Sequence, residues 1–195
     1  MDPLSQEAVR EMFEKSGALL QGHFLLSSGL HSARYLQCAK VLEEPDQAER
    51  LGRALGARFS GQAMDLVVAP ALGGVIIGHE VARAVGARFV FTERDSEGRA
   101  VLRRGFRFTP GARTLVVEDV VTTGGSTREV IELARVAGCE VRAVAVIVDR
   151  SGGRAEFDVP LVSLLQLDVP TWSAADCELC RRGEPVEKPG SRKRS

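Results

Sequence analysis

Short apolar runs along the chain predict the strands of a sheet. Residues 66–69, 114–117 and 142–148 are rich in β-branched side chains and are apolar at nearly every position. This pattern is typical of central strands that are covered on both faces. Residues 88–92 and 161–165 show the same character and predict two further strands.

Helical periodicity lies between and before these runs. It covers residues 5–16, 75–85 and 127–137, and Gly86 and Gly138 follow the last two, where a left-handed cap favours glycine. The alternation of strand and helix predicts right-handed crossovers. We therefore expect an α/β fold with an open, mostly parallel sheet and helices on both faces.

One edge of such a sheet is the expected ligand site. Ligands of open α/β sheets bind beyond the carboxyl ends of the strands. The predicted strands end at Ala69, Val117 and Val148. The loops that follow them should therefore converge.

The two ends of the chain have a different pattern. Residues 22–26 and 32–37 form a candidate hairpin, and the other end is a polar, basic tail. We interpret residues 1–45 and 170–195, approximately, as a small hood over a core of about 46–169. At 195 residues the whole chain is the size of a single domain.

Composition and charge exclude several classes of protein. The chain is 44% hydrophobic and 27% charged, with 26 basic and 26 acidic residues. This balance is typical of a globular protein, and the zero net charge argues against a general nucleic-acid binder. No apolar run is long enough to cross a bilayer, and the first residues lack the pattern of a secretion signal. We expect a cytoplasmic protein with free thiols and with no nucleic-acid or membrane partner.

The segment between residues 117 and 128 has the chemistry of a sugar phosphate site. It reads Glu-Asp-Val-Val-Thr-Thr-Gly-Gly-Ser-Thr. Glycines let backbone N–H groups converge on an anion, and the following helix adds its N-terminal donors and partial positive charge. The paired carboxylates would repel a phosphate but accept hydrogen bonds from ribose hydroxyls. A capped turn without a ligand is the simpler alternative, and the absence of Gly-Lys-Ser/Thr excludes a Walker loop.

This loop resembles the phosphoribosyl diphosphate signature of the type I phosphoribosyltransferases. The resemblance implies the fold of that family, with a small hood. It also implies that the sugar diphosphate is bound by a contiguous set of residues: Glu118, Asp119, Val120, Val121, Thr122, Thr123, Gly124, Gly125 and Ser126.

Two other segments resemble the orotate phosphoribosyltransferases within that family. Residues 22–32 resemble the hood strand, and Val148-Asp149-Arg150 resembles the strand end that carries an orotate-binding arginine. The resemblance implies that Thr122, Arg150 and Ser28 contact orotate. A planar guanidinium also matches a carboxylate in two parallel hydrogen bonds, although a surface arginine at a turn is the alternative for Arg150.

Residues 69–74 and 93–106 resemble the two remaining parts of the donor site. The first segment looks like the pyrophosphate loop, and the second corresponds to the mobile loop of the family but contains neither lysine nor histidine. A structural turn and an ordinary exposed hairpin are the respective alternatives. The expected contacts to the diphosphate are Ala71, Leu72, Gly73 and Arg94, with Arg103 and Arg104 as further candidates.

The resemblance implies a pentosyl transfer in de novo pyrimidine (UMP) biosynthesis. The phosphoribosyl group of 5-phosphoribosyl 1-diphosphate would pass to orotate, giving orotidine 5-phosphate and pyrophosphate. Glu118, Asp119 and Arg94 would be catalytic, in a homodimer that uses Mg²⁺. The ion would be held by substrate and water, with contact to the protein limited to the two acids. A purine-type enzyme, for which Arg150 is dispensable, and a non-catalytic regulator that senses the donor remain as alternatives.

A Cys-x-x-Cys pair, Cys177 and Cys180, lies near the end of the chain. A structural zinc site needs four ligands, and this pair supplies two. The other cysteines and histidines show no spacing that completes such a site: Cys38, Cys139, His23, His31 and His79. We therefore interpret the pair as free thiols of the hood, with a metal site and a redox pair as the alternatives.

Overall fold

The computed structural model describes residues 4–26 and 29–189. In these ranges the chain forms a six-stranded sheet, a three-stranded sheet and six helices. The strands are β1 (Leu19–Leu25), β2 (His31–Leu36), β3 (Leu66–Pro70), β4 (Arg88–Arg94), β5 (Ala100–Leu102), β6 (Arg113–Val121), β7 (Glu140–Asp149), β8 (Leu161–Gln166) and β9 (Thr171–Trp172). The helices are α1 (Gln6–Lys15), α2 (Cys38–Leu42), α3 (Pro45–Ala57), α4 (Gly73–Val85), α5 (Gly125–Val136) and α6 (Glu178–Arg181).

The large sheet has the strand order β5-β4-β3-β6-β7-β8. Five of its strands run parallel, and β5 pairs antiparallel with β4 at one edge. All five predicted strands lie in this sheet. The residues of β3 are buried throughout, as its continuous apolar run requires. The predicted α/β class and parallel sheet are thus confirmed.

Two cores cover the two faces of this sheet. Val67 and Leu115 point to the face that packs against α1, α2, α3 and α4, while Val68 and Val116 point to the face that packs against α5. The division follows from the period of a strand, in which successive side chains alternate between faces. Helices on both faces are therefore confirmed as well.

The helices around the site begin two residues earlier than their periodicity predicts. Helix α4 begins at Gly73 and α5 at Gly125, so the glycines before each apolar stripe belong to the first helical turn. The C-terminal prediction for α4 is confirmed, since Gly86 adopts a left-handed conformation and its N–H bonds to the carbonyl of Ala82. Both N-termini lie at the carboxyl edge of the sheet.

The hood is a small antiparallel sheet with the order β1-β2-β9. Residues from both ends of the chain form it, and Glu187 bonds to the backbone of His23 and Leu25. Helix α1 belongs to the main core instead, because Val9 and Phe13 are fully buried in the cluster that lines the large sheet. None of the helices in the described ranges has the length and apolarity to cross a membrane.

Candidate functional site

The loops after β3, β6 and β7 meet at one edge of the sheet. A Cβ placed on Gly73 would lie 2.7 Å from either carboxylate oxygen of Asp119, so a side chain here would have to displace that carboxylate. The backbone N–H of Arg150 donates to the carbonyl of Val121 over 2.8 Å. The predicted convergence of the three loops is confirmed.

The turn between β6 and α5 is fastened by its own side chains. The hydroxyl of Thr127 donates to Glu118 over 2.6 Å, and that of Ser126 lies 3.2 Å and 3.3 Å from the two oxygens of the same carboxylate. Gly124 precedes the helix with a φ of 77°, which favours glycine. Ser126 was predicted to donate to the sugar phosphate, but its hydroxyl is directed to Glu118. The side chains of Thr122 and Thr123 are exposed and open to a ligand.

The carboxyl groups of Glu118 and Asp119, at the end of β6, both have raised pKa values. Burial raises the pKa of Glu118 to about 7, against the opposing hydrogen bond from Thr127. Burial likewise raises the pKa of Asp119, although the N–H of Val120 donates to it over 2.9 Å. Neither carboxylate has an ion-pair partner among the described residues. A cation or a group of hydroxyls at this point would therefore be stabilised.

Arg150 lies at the end of β7 with an incomplete set of hydrogen bonds. Its Nε is buried and has no acceptor within residues 4–26 and 29–189. Burial lowers the pKa of Arg150, and its surroundings include Cys38 and Tyr35 of the hood side. Asp119 raises the pKa values of the same two residues, so it also lies within electrostatic range of them. A buried guanidinium that lacks an acceptor is a site for an anionic ligand.

Residues 93–106 form a hairpin of β4 and β5 whose arginines differ in their ion pairs. Arg104 makes a two-pronged ion pair with Glu93, with both hydrogen bonds 3.0 Å long. Arg103 is exposed and has no ion pair in the described part of the chain. The arrangement is that of the exposed hairpin, and Arg103 is the cation in it that remains available to a ligand.

Arg94 lies beside the turn. Its guanidinium pairs with Glu129 of α5 and donates to the carbonyl of Gly98 over 2.7 Å. It is close enough to lower the pKa of Glu118 against the larger effect of burial. The hairpin and the turn are thereby joined at the site.

The remaining predicted residues lie in the β3–α4 loop and the hood. The N–H of Ala71 donates to the carbonyl of Thr92 over 2.8 Å, and the Ala71–Leu72 peptide is cis. The side chain of Leu72 is 86% exposed beside the acids. Ser28 lies outside the described residues.

Cys177 and Cys180 are free thiols, as expected, but the expectation that no histidine joins them is wrong. His23 and His31 lie against them, and the four ligand atoms are all within 4.8 Å of one another. Spacing along the chain could not show this, because two hairpin strands and the C-terminal segment supply the residues. A signal was present in the two histidines, one in the first strand of the predicted hairpin and one directly before the second.

Comparison with known proteins agrees with this geometry. Residues 41–176 match the phosphoribosyl transferase domain. An orotate phosphoribosyltransferase of Caldicellulosiruptor bescii is 51% identical over 191 residues, covering 98% of this chain and 100% of the relative. One from Thermotoga maritima is 51% identical over 184 residues, covering 94% of this chain and 98% of the relative. The crystal structure of orotate phosphoribosyltransferase from Aeropyrum pernix has a TM-score of 0.69 at 28% identity and covers 82% of this chain and 93% of that one. A domain match over most of the chain and relatives of the same length at half identity lead to one conclusion: the chain belongs to the orotate phosphoribosyltransferases, within the phosphoribosyl transferase domain family.

Proposed function

We propose that the protein transfers the phosphoribosyl group of 5-phosphoribosyl 1-diphosphate to orotate, giving orotidine 5-phosphate and pyrophosphate. The observation that carries this proposal is the buried Nε of Arg150, which has no acceptor among the described residues. Arg150 and Asp119 both lie within electrostatic range of Tyr35 and Cys38. Orotate is a pyrimidine with a carboxylate, so it supplies the anion that this guanidinium needs. The full-length relatives named above support the same substrate.

The β6–α5 turn would hold the ribose 5-phosphate. The exposed hydroxyls of Thr122 and Thr123 and the N–H groups at the start of α5 would bind the phosphate. Residues 124–126 supply these N–H groups, and Val120 and Val121 set the turn at the end of the strand. Glu118 and Asp119 would face the ribose, whose hydroxyls can donate to them.

The β3–α4 loop and the hairpin would receive the diphosphate. Ala71 and Leu72 precede Gly73, which lies against Asp119 and leaves the backbone open to close approach. Arg94 and Arg103 supply positive charge from the neighbouring hairpin. Orotate would then lie between the turn and the hood, with its carboxylate on Arg150 and with Thr122 and Ser28 at its edges.

The geometry favours catalysis by positioning and electrostatics. The bond between sugar carbon 1 and the diphosphate breaks, and its electron pair leaves with the diphosphate. A ring nitrogen of orotate releases its proton to solvent water and bonds to the same carbon from the opposite face. Positive charge grows on the ribose between these events, and the carboxylates of Glu118 and Asp119 stabilise it.

The acid pair also fits a magnesium ion. Two neighbouring carboxylates with raised pKa values and no ion pair offer the oxygen ligands that this ion prefers. Bound there through substrate and water, Mg²⁺ would neutralise charge on the diphosphate. The family resemblance further supports a homodimer, and light scattering should then give about twice the chain mass of 21.0 kDa.

One assay tests the proposed function. The protein is mixed with Mg²⁺ and 5-phosphoribosyl 1-diphosphate, and orotate, uracil, adenine and hypoxanthine are supplied in parallel. Consumption of orotate, with uracil untouched, is expected because uracil lacks the carboxylate that would bind Arg150. Consumption of a purine alone would overturn the proposal, and so would the absence of turnover with every base.

A further inference from the structure

The hood contains a cluster of four side chains that the transfer reaction does not use. His23 lies in β1, His31 begins β2, and Cys177 and Cys180 flank and enter α6. His23, His31 and Cys177 are buried, and Cys180 is partly exposed. Two segments separated by more than a hundred residues therefore bring two imidazoles and two thiols together.

Three nitrogen–sulfur distances within this cluster are close to the edges of a tetrahedron around a metal ion. Zinc bonds of about 2.0–2.1 Å to nitrogen and 2.3 Å to sulfur place neighbouring N and S atoms about 3.6 Å apart. Nε2 of His23 lies 3.5 Å from Sγ of Cys177 and 3.6 Å from Sγ of Cys180. Nδ1 of His31 lies 3.3 Å from Sγ of Cys180. The two ring nitrogens are 2.7 Å apart and would separate by roughly 0.6 Å around an ion.

The orientation of His23 is that of a metal ligand. Its Nδ1 lies 2.8 Å from the carbonyl of Glu184, and a carbonyl can only accept, so this nitrogen carries the proton. Nε2 then presents its lone pair to His31 and the two cysteines. A second nitrogen fixed by a carbonyl is a common feature of metal-binding histidines. The irregular pairing of β1 with β2 between Gln21 and Phe24 places the ring inward at this point.

We propose that His23, His31, Cys177 and Cys180 bind a structural zinc ion that fastens the N-terminal hairpin to the C-terminal segment. Two thiolates and two neutral imidazoles suit this borderline-soft ion in tetrahedral geometry. Binding releases the two thiol protons and leaves a site with no net charge, which can be buried at little cost. Four protein ligands close the coordination sphere, so the ion holds structure and takes no part in the transfer.

The zinc ion would act where the hood is otherwise held weakly. Strand β9 has two residues, and α6 has four. The other ties between the segments are few: the short pairing of β2 with β9, two backbone hydrogen bonds of Glu187 to β1, and the bond from Ser32 to the carbonyl of Pro170 over 3.2 Å. The ion therefore orders β2, the strand that carries Tyr35 toward Arg150.

A competing arrangement is a disulfide between Cys177 and Cys180. It would remove both thiolates and leave the paired histidines without a shared partner. Metal content and thiol state distinguish the two arrangements directly. Both readouts are independent of catalytic activity.

The experiment measures metal in the full-length protein after expression with zinc in the medium and dialysis without chelator. Elemental analysis should find about one zinc per chain. Cys180→Ser should lower this content by about tenfold or more, because one ligand is lost. Cys139→Ser is the matched control, since this buried thiol lies outside the cluster and donates to the carbonyl of Thr109. Its zinc content should equal that of the unchanged protein.

Two further measurements keep the proposal open to refutation if a variant folds poorly. Removal of zinc from the unchanged protein should speed hydrogen exchange in β1, β2 and α6 while β3 and β6 keep their protection. Cobalt added to the zinc-free protein should give the visible bands of a tetrahedral thiolate site. A protein that retains no zinc and binds no cobalt would overturn the proposal. A mass lower by two hydrogens with both cysteines in one disulfide would also overturn it, and another tightly held metal would overturn the choice of zinc.

Discussion

The β6–α5 turn and the hood face the same site but are held together in opposite ways. In the turn, Glu118 bonds to hydroxyls eight and nine residues further along the chain. In the hood, His23 bonds to a carbonyl 161 residues away, and His31 contacts a thiol 149 residues away. The turn is a local structure, whereas the hood exists only when both ends of the chain are folded.

This difference predicts that the turn mainly affects turnover and that the hood mainly affects local stability. Closing a long loop costs conformational entropy, so a sheet made from both ends of the chain opens more readily than a turn between central strands. Substitutions in the turn should therefore change turnover with little effect on unfolding. Substitutions in the hood should change its opening first. The following predictions test this division from the largest expected effect to the smallest.

Asp119→Asn should have the largest effect on turnover. The carboxylate that stabilises the developing positive charge is lost, and we expect kcat to fall by about 10²–10³-fold. The melting temperature should stay the same or rise, because burial raises the pKa of Asp119 and the ionised group is costly in the fold. Steady-state kinetics and thermal unfolding of the same preparation measure both quantities.

Glu132→Gln is the matched control for that experiment. Glu132 is exposed on α5, and the substitution removes one negative charge from the helix after the turn. It should leave kcat within about twofold of the unchanged protein. If the melting temperature of Asp119→Asn fell enough to account for its lost activity, the turn would affect stability as well as turnover, and the comparison would fail.

Arg150→Lys should weaken orotate binding selectively. Lysine keeps the charge but cannot make two parallel hydrogen bonds to a carboxylate, so KM for orotate should rise by about 10–100-fold. KM for the sugar diphosphate should change little. Arg154→Lys, at an exposed position nearby, serves as the control. Equal effects on both substrates would contradict the assignment of Arg150 to the base.

The pH dependence of turnover should report Glu118. Its pKa of about 7 lies above its ordinary value, so the protonated form prevails below that pH. The ionised form accepts hydrogen bonds from the ribose hydroxyls and stabilises the positive charge that develops on the ribose. The value of kcat/KM for the donor should therefore rise with pH through about 7 and then become constant. Glu118→Gln should remove this rise. The donor titrates equally with both proteins, so the difference between their pH profiles reports the ionisation of Glu118 alone.

The same titration has the opposite sign for stability. The folded protein binds the Glu118 proton more tightly than the unfolded chain, so this group contributes stability below its ordinary pKa and loses it as pH rises toward about 7. Urea unfolding across that window should show a smaller decline for Glu118→Gln. An equal decline in both proteins would contradict the raised pKa.

Ser32→Ala should have the smallest effect and should act on the hood alone. Ser32 is fully buried and donates to the carbonyl of Pro170, so its loss should lower the free energy of unfolding by about 1–2 kcal/mol. Hydrogen exchange in β2 and β9 should quicken while kcat at saturating substrate stays unchanged. Ser60→Ala, at an exposed position, is the control.

The sequence alone determined the central sheet and the local part of the site. Continuous apolar runs predict buried parallel strands, because neither face of a strand that is covered on both sides contacts water, and so apolar residues are favoured at every position. The acids, glycines and hydroxyls of the turn are contiguous, so their shared site could be predicted before any contact was known. The role of Arg150 was predicted from the resemblance of Val148-Asp149-Arg150 to the strand end of the orotate enzymes, and the match between a planar guanidinium and a carboxylate supports it.

Only the tertiary structure decided which polar side chains become hydrogen-bond partners or neighbours. Ser126 and Thr127 carry hydroxyls that a ligand could use, yet they bond to Glu118 because the helix start brings them over that carboxylate. His23 and His31 meet Cys177 and Cys180 through the pairing of two chain ends, and no spacing in the sequence encodes a contact of that range. Local periodicity specifies a strand or a turn, whereas long-range neighbours depend on how whole elements pack.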